Sequence, residues 1–218
     1  MRPGFYTTDA SCATPHTLIA KIPHRRIFYP DTLKPQFSAS WEAFRQCGKT
    51  DASVFREFEA VHAIPGFNFK AWEGGRFAES VVALELLGRR YTCFRACSLF
   101  RSGIEPRKAL ATTKLFEALL TEARLPLPWE VGRRVRPAMT PKKVPWKPRN
   151  PDLAAMRGDE LMFCEVKWKD EEPGEGQLEA LAILRELLKA TVEIVRVVPD
   201  EERQAPDPPP YPCHFTIA

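Results

Sequence analysis

The chain has 218 residues, 44% of them hydrophobic, and a formal charge of +4. That length and apolar share suit one ordinary globular domain with extensions and exclude a disordered or fibrous chain, while so mild a charge does not by itself imply a polyanionic partner. No run of about 18 apolar residues occurs, so no membrane span is expected, and Met1-Arg2-Pro3-Gly4-Phe5 lacks the apolar core of a secretory signal, which leads to the expectation of a cytoplasmic protein. Six cysteines (12, 47, 93, 97, 164, 213) form no CxxC pair and four histidines (16, 24, 62, 214) form no HExxH. Free thiols are expected, and neither structural zinc nor histidine-based metal hydrolysis is.

Residues 1–70 carry prolines at 3, 15, 23, 30, 35 and 65 that interrupt periodic patterns, so an irregular N-terminal region of unknown role is expected, with short helices over Ser40–Gln46 and Asp51–Ala63. The pattern predicts a helix over Phe77–Leu87 with Gly88 as its left-handed cap, then a strand over Arg90–Phe100 and a helix over Pro106–Arg124. A proline-dense, irregular insertion spans 125–150. A hairpin follows from Asp152 to Val166, then a helix over Gln177–Lys189 and a β-branched strand from Thr191 to Val198. The order from Phe77 is α, β, α, β, β, α, β, which gives a domain over 71–198. Residues 199–218 are rich in proline and acidic side chains and are expected to be an exposed tail.

The hairpin concentrates the chemistry. Alternation along its second strand puts Leu161, Phe163, Glu165 and Lys167 on one face and Met162, Cys164, Val166 and Trp168 on the other. An acid and a lysine two residues apart at the end of an apolar run are costly to desolvate unless they hold something, and a divalent metal with a phosphate suits them. Alone, the pair also describes an ion pair on a solvated sheet face, and an acid-x-Lys triplet arises by chance on the order of once or twice in such a composition. Context supplies the specificity: Pro151-Asp152-Leu153 precedes Glu165-Val166-Lys167 by a hairpin's length, and Gly176-Gln177 opens the next helix.

That set resembles the PD-(D/E)xK nuclease superfamily and, within it, the VRR-NUC (virus-type replication-repair nuclease) group, with Val195-Arg196-Val197 similar to the strand that gives the group its name. The resemblance covers Asp152–Val198 well and Phe77–Phe100 less closely. It implies an α/β fold with a restriction-endonuclease-like core, a mixed central β-sheet flanked by helices. It also implies that Asp152, Glu165 and the backbone carbonyl of Val166 bind Mg²⁺ or Mn²⁺, and that Lys167 positions a water or stabilises the developing charge. Gln177 would orient Lys167 or that water; its other reading is an N-terminal helix residue satisfying its own backbone. The family's first core helix commonly carries an acid facing the site. Glu79, on the apolar face of the Phe77 helix, is the candidate and Glu85 the alternative; an ordinary first-turn acid favoured by the helix dipole is equally consistent with Glu79.

Between Val131 and Asn150 stand Arg133, Arg134, Arg136, Lys142, Lys143, Lys147 and Arg149 with no acidic residue, and Trp129 and Trp146 lie close by. Such a run fits a loop that grips phosphates and stacks on bases, or a solvated linker. It leads directly into Pro151-Asp152. The resemblance therefore implies a metal-dependent nuclease, acting on DNA before RNA, in repair, phage biology or as a toxin effector delivered into a target cell. An immunity protein or a larger nucleic-acid-processing complex would be its protein partner. The rival from another class is a non-catalytic nucleic-acid-binding or interaction module that keeps the fold.

Overall fold

A computed structural model describes residues 16–47, 59–62, 64–65, 76–95, 107–127, 150–204, 206 and 208–217. In chain order the elements are β1 (His16–Ile22), β2 (His24–Tyr29), α1 (Leu33–Cys47), α2 (Glu59–His62), α3 (Phe77–Gly88), β3 (Thr92–Arg95), α4 (Arg107–Glu122), β4 (Leu153–Arg157), β5 (Glu160–Trp168), α5 (Glu175–Leu188), β6 (Thr191–Pro199) and β7 (Tyr211–Ile217). Five strands form one mixed sheet in the order β2-β6-β5-β4-β3. β2, β6 and β5 run parallel, and β4 and β3 are antiparallel to their neighbours. Parallel neighbours need a crossover, and α5 supplies the one between β5 and β6. Among the described residues no helix is long and apolar enough to cross a membrane.

The alternation in β5 divides the core in two. Leu161 and Phe163 pack with Phe116 and Leu120 of α4, with Leu181 and Leu184 of α5, and with Ala20, Ile22 and Cys213. Met162, Cys164 and Val166 face the other way, against Val82 and Leu86 of α3 and against Phe37, Val61 and Ile64. A strand with one helix layer on each side is buried on both faces, which is why β5 is an almost unbroken apolar run.

The β4–β5 hairpin closes through Gly158, whose φ of +61° is the positive value that the first loop position of a primed hairpin turn requires. At the end of α3 the outcome differs from the glycine expectation: the helix runs through Gly88, and Arg90 (φ 65°) takes the left-handed position. The Tyr91 N–H donates to the Leu86 carbonyl (3.0 Å) and the Arg90 N–H to that of Leu87 (2.9 Å). This is a Schellman closure, and the buried pair Tyr91 and Leu86 fixes its register two residues beyond Gly88. α4 ends the same way, with Arg124 (φ 57°) left-handed and Leu125 bonded back to Leu120.

Both termini depart from their expected irregularity. The N-terminal region contributes an edge strand, β2, to the central sheet, and its prolines fall where strands and helices tolerate them: Pro23 between β1 and β2, Pro30 just after β2, Pro35 in the first turn of α1. The C-terminal region is not an exposed tail throughout. Asp200–Glu202 form a short 3-10 turn, and β7 pairs antiparallel with β1 from His16↔Ile217 to Ile22↔Tyr211. The two-stranded sheet packs on α5, with Arg185 donating to the Lys21 carbonyl at 2.8 Å. Pro212 is tolerated because a two-stranded sheet has only edges. The predicted helix over 51–63 is described only at Glu59–His62; of the predicted strand over 90–100, Thr92–Arg95 form a strand, Arg90 and Tyr91 belong instead to the closure of α3, and 96–100 lie outside the described residues.

Backbone handedness gives an opposed pair of tests. Arg90→Gly is expected to raise stability by about 0.5–1 kcal/mol and Gly158→Ala to lower it by about 1 kcal/mol, since a Cβ costs energy at positive φ and Gly158 has open space around it. Urea denaturation measures both, and equal midpoints for the two variants would contradict the assignment.

Candidate active site

The hairpin register brings the two carboxyls together. Leu153 pairs with Cys164, so the next pair outward is Asp152 and Glu165, at the point where β4 has not yet begun. Asp152 uses that free end: its Oδ2 accepts the Val166 N–H at 2.9 Å. In an extended strand a residue's N–H and carbonyl leave toward the same neighbour, so the Val166 carbonyl faces the Asp152 side as well.

Glu165 is 1% exposed and Lys167 7%. The Lys167 ammonium donates to Glu165 Oε1 at 2.6 Å and to Gln177 Oε1 at 3.2 Å. Gln177 Nε2 donates to the same Glu165 oxygen, and Gln177 Oε1 also accepts the Gly174 N–H at 2.9 Å. Both readings of Gln177 therefore hold at once. It closes the N-terminus of α5, and by doing so it presents its amide to the Glu165–Lys167 pair. Among the described residues no N–H or hydroxyl reaches the buried Glu165 Oε2, and the Asp152 carboxyl is within hydrogen-bond reach of Glu165.

Glu79 reaches the site from the α3 face, where it pairs with Arg95; both side chains are 13% exposed. Its charge acts on Asp152. Glu85 lies elsewhere: it binds Arg25 at 2.8 Å, beside Glu193, and Arg89 at 3.6 Å. Six residues separate the two acids, roughly 9 Å along a helix, so only one of them can serve this end of the sheet. The structure thus brings together Asp152, Glu165, Val166, Lys167 and Gln177, with Glu79 at their border. The basic residues Arg133, Arg134, Arg136, Lys142, Lys143, Lys147 and Arg149 lie outside the described residues. Two arginines, Arg76 and Arg95, escaped the sequence analysis. Arg95 had a signal: it shares the α3-facing side of β3 with buried Cys93, an unusual place for a cation without an acid opposite.

Burial and like charge set the electrostatics. The Glu165 carboxyl is pushed up to about 8 by burial and then by the Asp152 charge, with Lys167 pulling the other way. Asp152 is pushed up to about 6 by burial and then by Glu79, against the Val166 hydrogen bond and Lys167. The two groups titrate together, and near neutral pH the pair retains a proton that ordinary carboxylates would have lost.

No protein-family model, curated protein or solved structure matches the chain. Among the described residues no group of three or more His, Cys, Asp and Glu side chains is placed to hold a metal ion. Cys93, Cys164 and Cys213 are buried free thiols. A cation at the sheet end would rest on Asp152, Glu165 and the Val166 carbonyl, hard oxygen donors that leave several positions to water and so suit Mg²⁺ or Mn²⁺. The donor set fits such an ion on one further count. Among the described residues Glu165 Oε2 is a buried acceptor that no N–H or hydroxyl reaches.

A carboxyl whose folded-state pKa lies above its unfolded value binds extra proton in the folded state. Its stabilisation is present below the unfolded value and lost as pH rises through the folded one. In the presence of a chelator, the melting temperature is therefore expected to fall as pH rises from about 4.5 to about 8, the interval between the ordinary Glu value and that of Glu165. Glu165→Gln should flatten that fall in a calorimetric pH series. An unchanged slope would show that Glu165 is ionised when folded.

Proposed function

We propose that the chain is a metal-dependent nuclease with a restriction-endonuclease-like core, hydrolysing phosphodiester bonds in nucleic acid, DNA before RNA. The observation that carries this reading is the meeting of a buried carboxyl, Glu165, a half-buried one, Asp152, that repels it, and a buried lysine at one end of a sheet. A divalent ion such as Mg²⁺ or Mn²⁺, held by Asp152, Glu165 and the Val166 carbonyl, supplies a water of lowered pKa and offsets charge on the phosphate when bound. Asp152 is held for this by the Val166 N–H. Lys167, held between Glu165 and Gln177, would offer its ammonium to a water or a non-bridging phosphate oxygen. Gln177, anchored on Gly174, keeps Lys167 aimed at that point. The preference for DNA rests on the family resemblance of the Asp152, Glu165-Val166-Lys167 and Gln177 set. The basic run that precedes Pro151 in the sequence supports a nucleic-acid substrate, because such side chains neutralise phosphates.

A second reading has one observation of its own. The Lys167–Glu165 contact of 2.6 Å, with Gln177 bonded to both, neutralises most of the site without a metal. That closure favours a non-catalytic nucleic-acid-binding module. Cleavage of supercoiled plasmid, single-stranded DNA and RNA with Mg²⁺ or Mn²⁺ separates the two. Asp152→Ala and Lys167→Ala are each expected to lose at least about 10²-fold in rate while remaining folded. A wild type inert with every substrate and metal, with no Mn²⁺ uptake by calorimetry, would sink the enzyme in favour of the module.

A further inference from the structure

Arg76 stands immediately before α3, and its carbonyl accepts both the N–H (3.0 Å) and the Oγ–H (2.9 Å) of Ser80. Those two bonds fix where its side chain starts. Residues three apart at a helix start share a face, so Arg76 and Glu79 leave α3 together, toward the end of the sheet where Asp152 sits. The half-buried guanidinium is within electrostatic reach of Arg95, Glu79 and Asp152.

The acids around it have other commitments. Glu79 is engaged by Arg95, and Asp152 Oδ2 accepts from Val166. Among the described residues the Arg76 guanidinium enters no hydrogen bond or direct ion pair. Burial and the charge of Arg95 both work against its cationic form. A guanidinium has five donors in a planar fork, matched to two oxygens of one phosphate. One held half-buried, with none of them used among the described residues, is suited to receive an anion.

We propose that Arg76 binds a non-bridging oxygen of a substrate phosphate beside Asp152, entering from the α3 face of the sheet while Lys167 acts from the α5 face. The inference rests on the nuclease reading and names a phosphate contact within it. Two cations on opposite sides of the carboxyl pair would grip the backbone across the sheet end. The acids between them would then be approached by a phosphate despite their own negative charge.

The experiment uses the full chain with Ca²⁺ in place of Mg²⁺ and a fluorescein-labelled DNA, single-stranded and duplex, read by anisotropy over a salt series, with Mg²⁺-supported cleavage measured alongside. Arg76→Ala is expected to weaken binding on the order of 10- to 100-fold and to lower the salt slope by about one. Arg76→Lys should restore the slope but only part of the affinity, because a lysine offers a point charge and no fork. Arg90→Gly, which removes an exposed positive charge far from the site, controls for net charge and should leave the slope unchanged. Should Arg76→Ala fail to fold, Arg76→Gln keeps the bulk without the charge and carries the same expectation. Binding and slope at wild-type values in the folded neutral variant overturn the proposal. Cleavage by wild type with an indifferent Arg76→Ala removes the contact and leaves the nuclease. Arg76-dependent binding without cleavage by wild type removes the nuclease and leaves the contact. Neither binding nor cleavage by wild type removes both.

Discussion

The repulsion between Asp152 and Glu165, a half-buried and a buried carboxyl set opposite one another, is the constraint around which this end of the molecule is organised. Each neighbouring group answers it. Val166 offers its N–H to one carboxyl, Lys167 and Gln177 converge on one oxygen of the other, and a proton persists on the pair where free carboxylates would have none. The repulsion exists only because the hairpin register holds. A slip of one residue would carry Glu165 and Lys167 to the α3 face and put Cys164 and Val166 in their place. The turn at Gly158 therefore determines the chemistry of a site five residue pairs away.

The opposite face of the sheet carries a second set of charges, buried at Glu193 and half-buried at Arg25 and Glu85, and the contrast between the two is informative. There Arg25 spans both oxygens of Glu193 at 2.8 Å and reaches Glu85 as well, so that every acid is matched to a guanidinium. Such a closed network fixes β2 against β6 and α3 and has nothing left to offer a ligand. At the carboxyl pair, among the described residues, one oxygen of Glu165 has no N–H or hydroxyl donor and the arginine near Asp152 makes no hydrogen bond through its guanidinium. Buried charge with unused valence, rather than buried charge as such, distinguishes a site of chemistry from a strut.

What was legible in the sequence was local or periodic. The two faces of β5, the helix–strand order from Phe77 onward, and the grouping of Asp152, Glu165, Lys167 and Gln177 all follow from spacing within a hairpin and the helix after it. Pairings between distant segments were not. His24–Tyr29 joins the sheet beside β6, nearly 170 residues away, and Tyr211–Ile217 finds β1 across almost the whole chain. The proline content of those segments masked short strands whose partners no local pattern names. The caps failed for a related reason. A hydrophobic contact, Tyr91 on Leu86, chose the left-handed residue at the end of α3 over the glycine nearby. Glu79 could not be separated from Glu85 until their partners, Arg95 and Arg25, were placed by tertiary structure.

The pairing of β1 with β7 also orders events in time. α5 carries Gln177 and backs the face that holds Glu165, and part of its cover comes from Ala20, Ile22 and Cys213, residues contributed by opposite ends of the fold. During synthesis the carboxyls, the lysine and the glutamine are all made before Tyr211–Ile217 exists. An emerging chain thus has its full set of reactive side chains before it can seal the helix behind them. Closure of so long a loop is entropically slow compared with forming a hairpin. The helix that carries Gln177 is therefore fully covered only once β7 has joined β1.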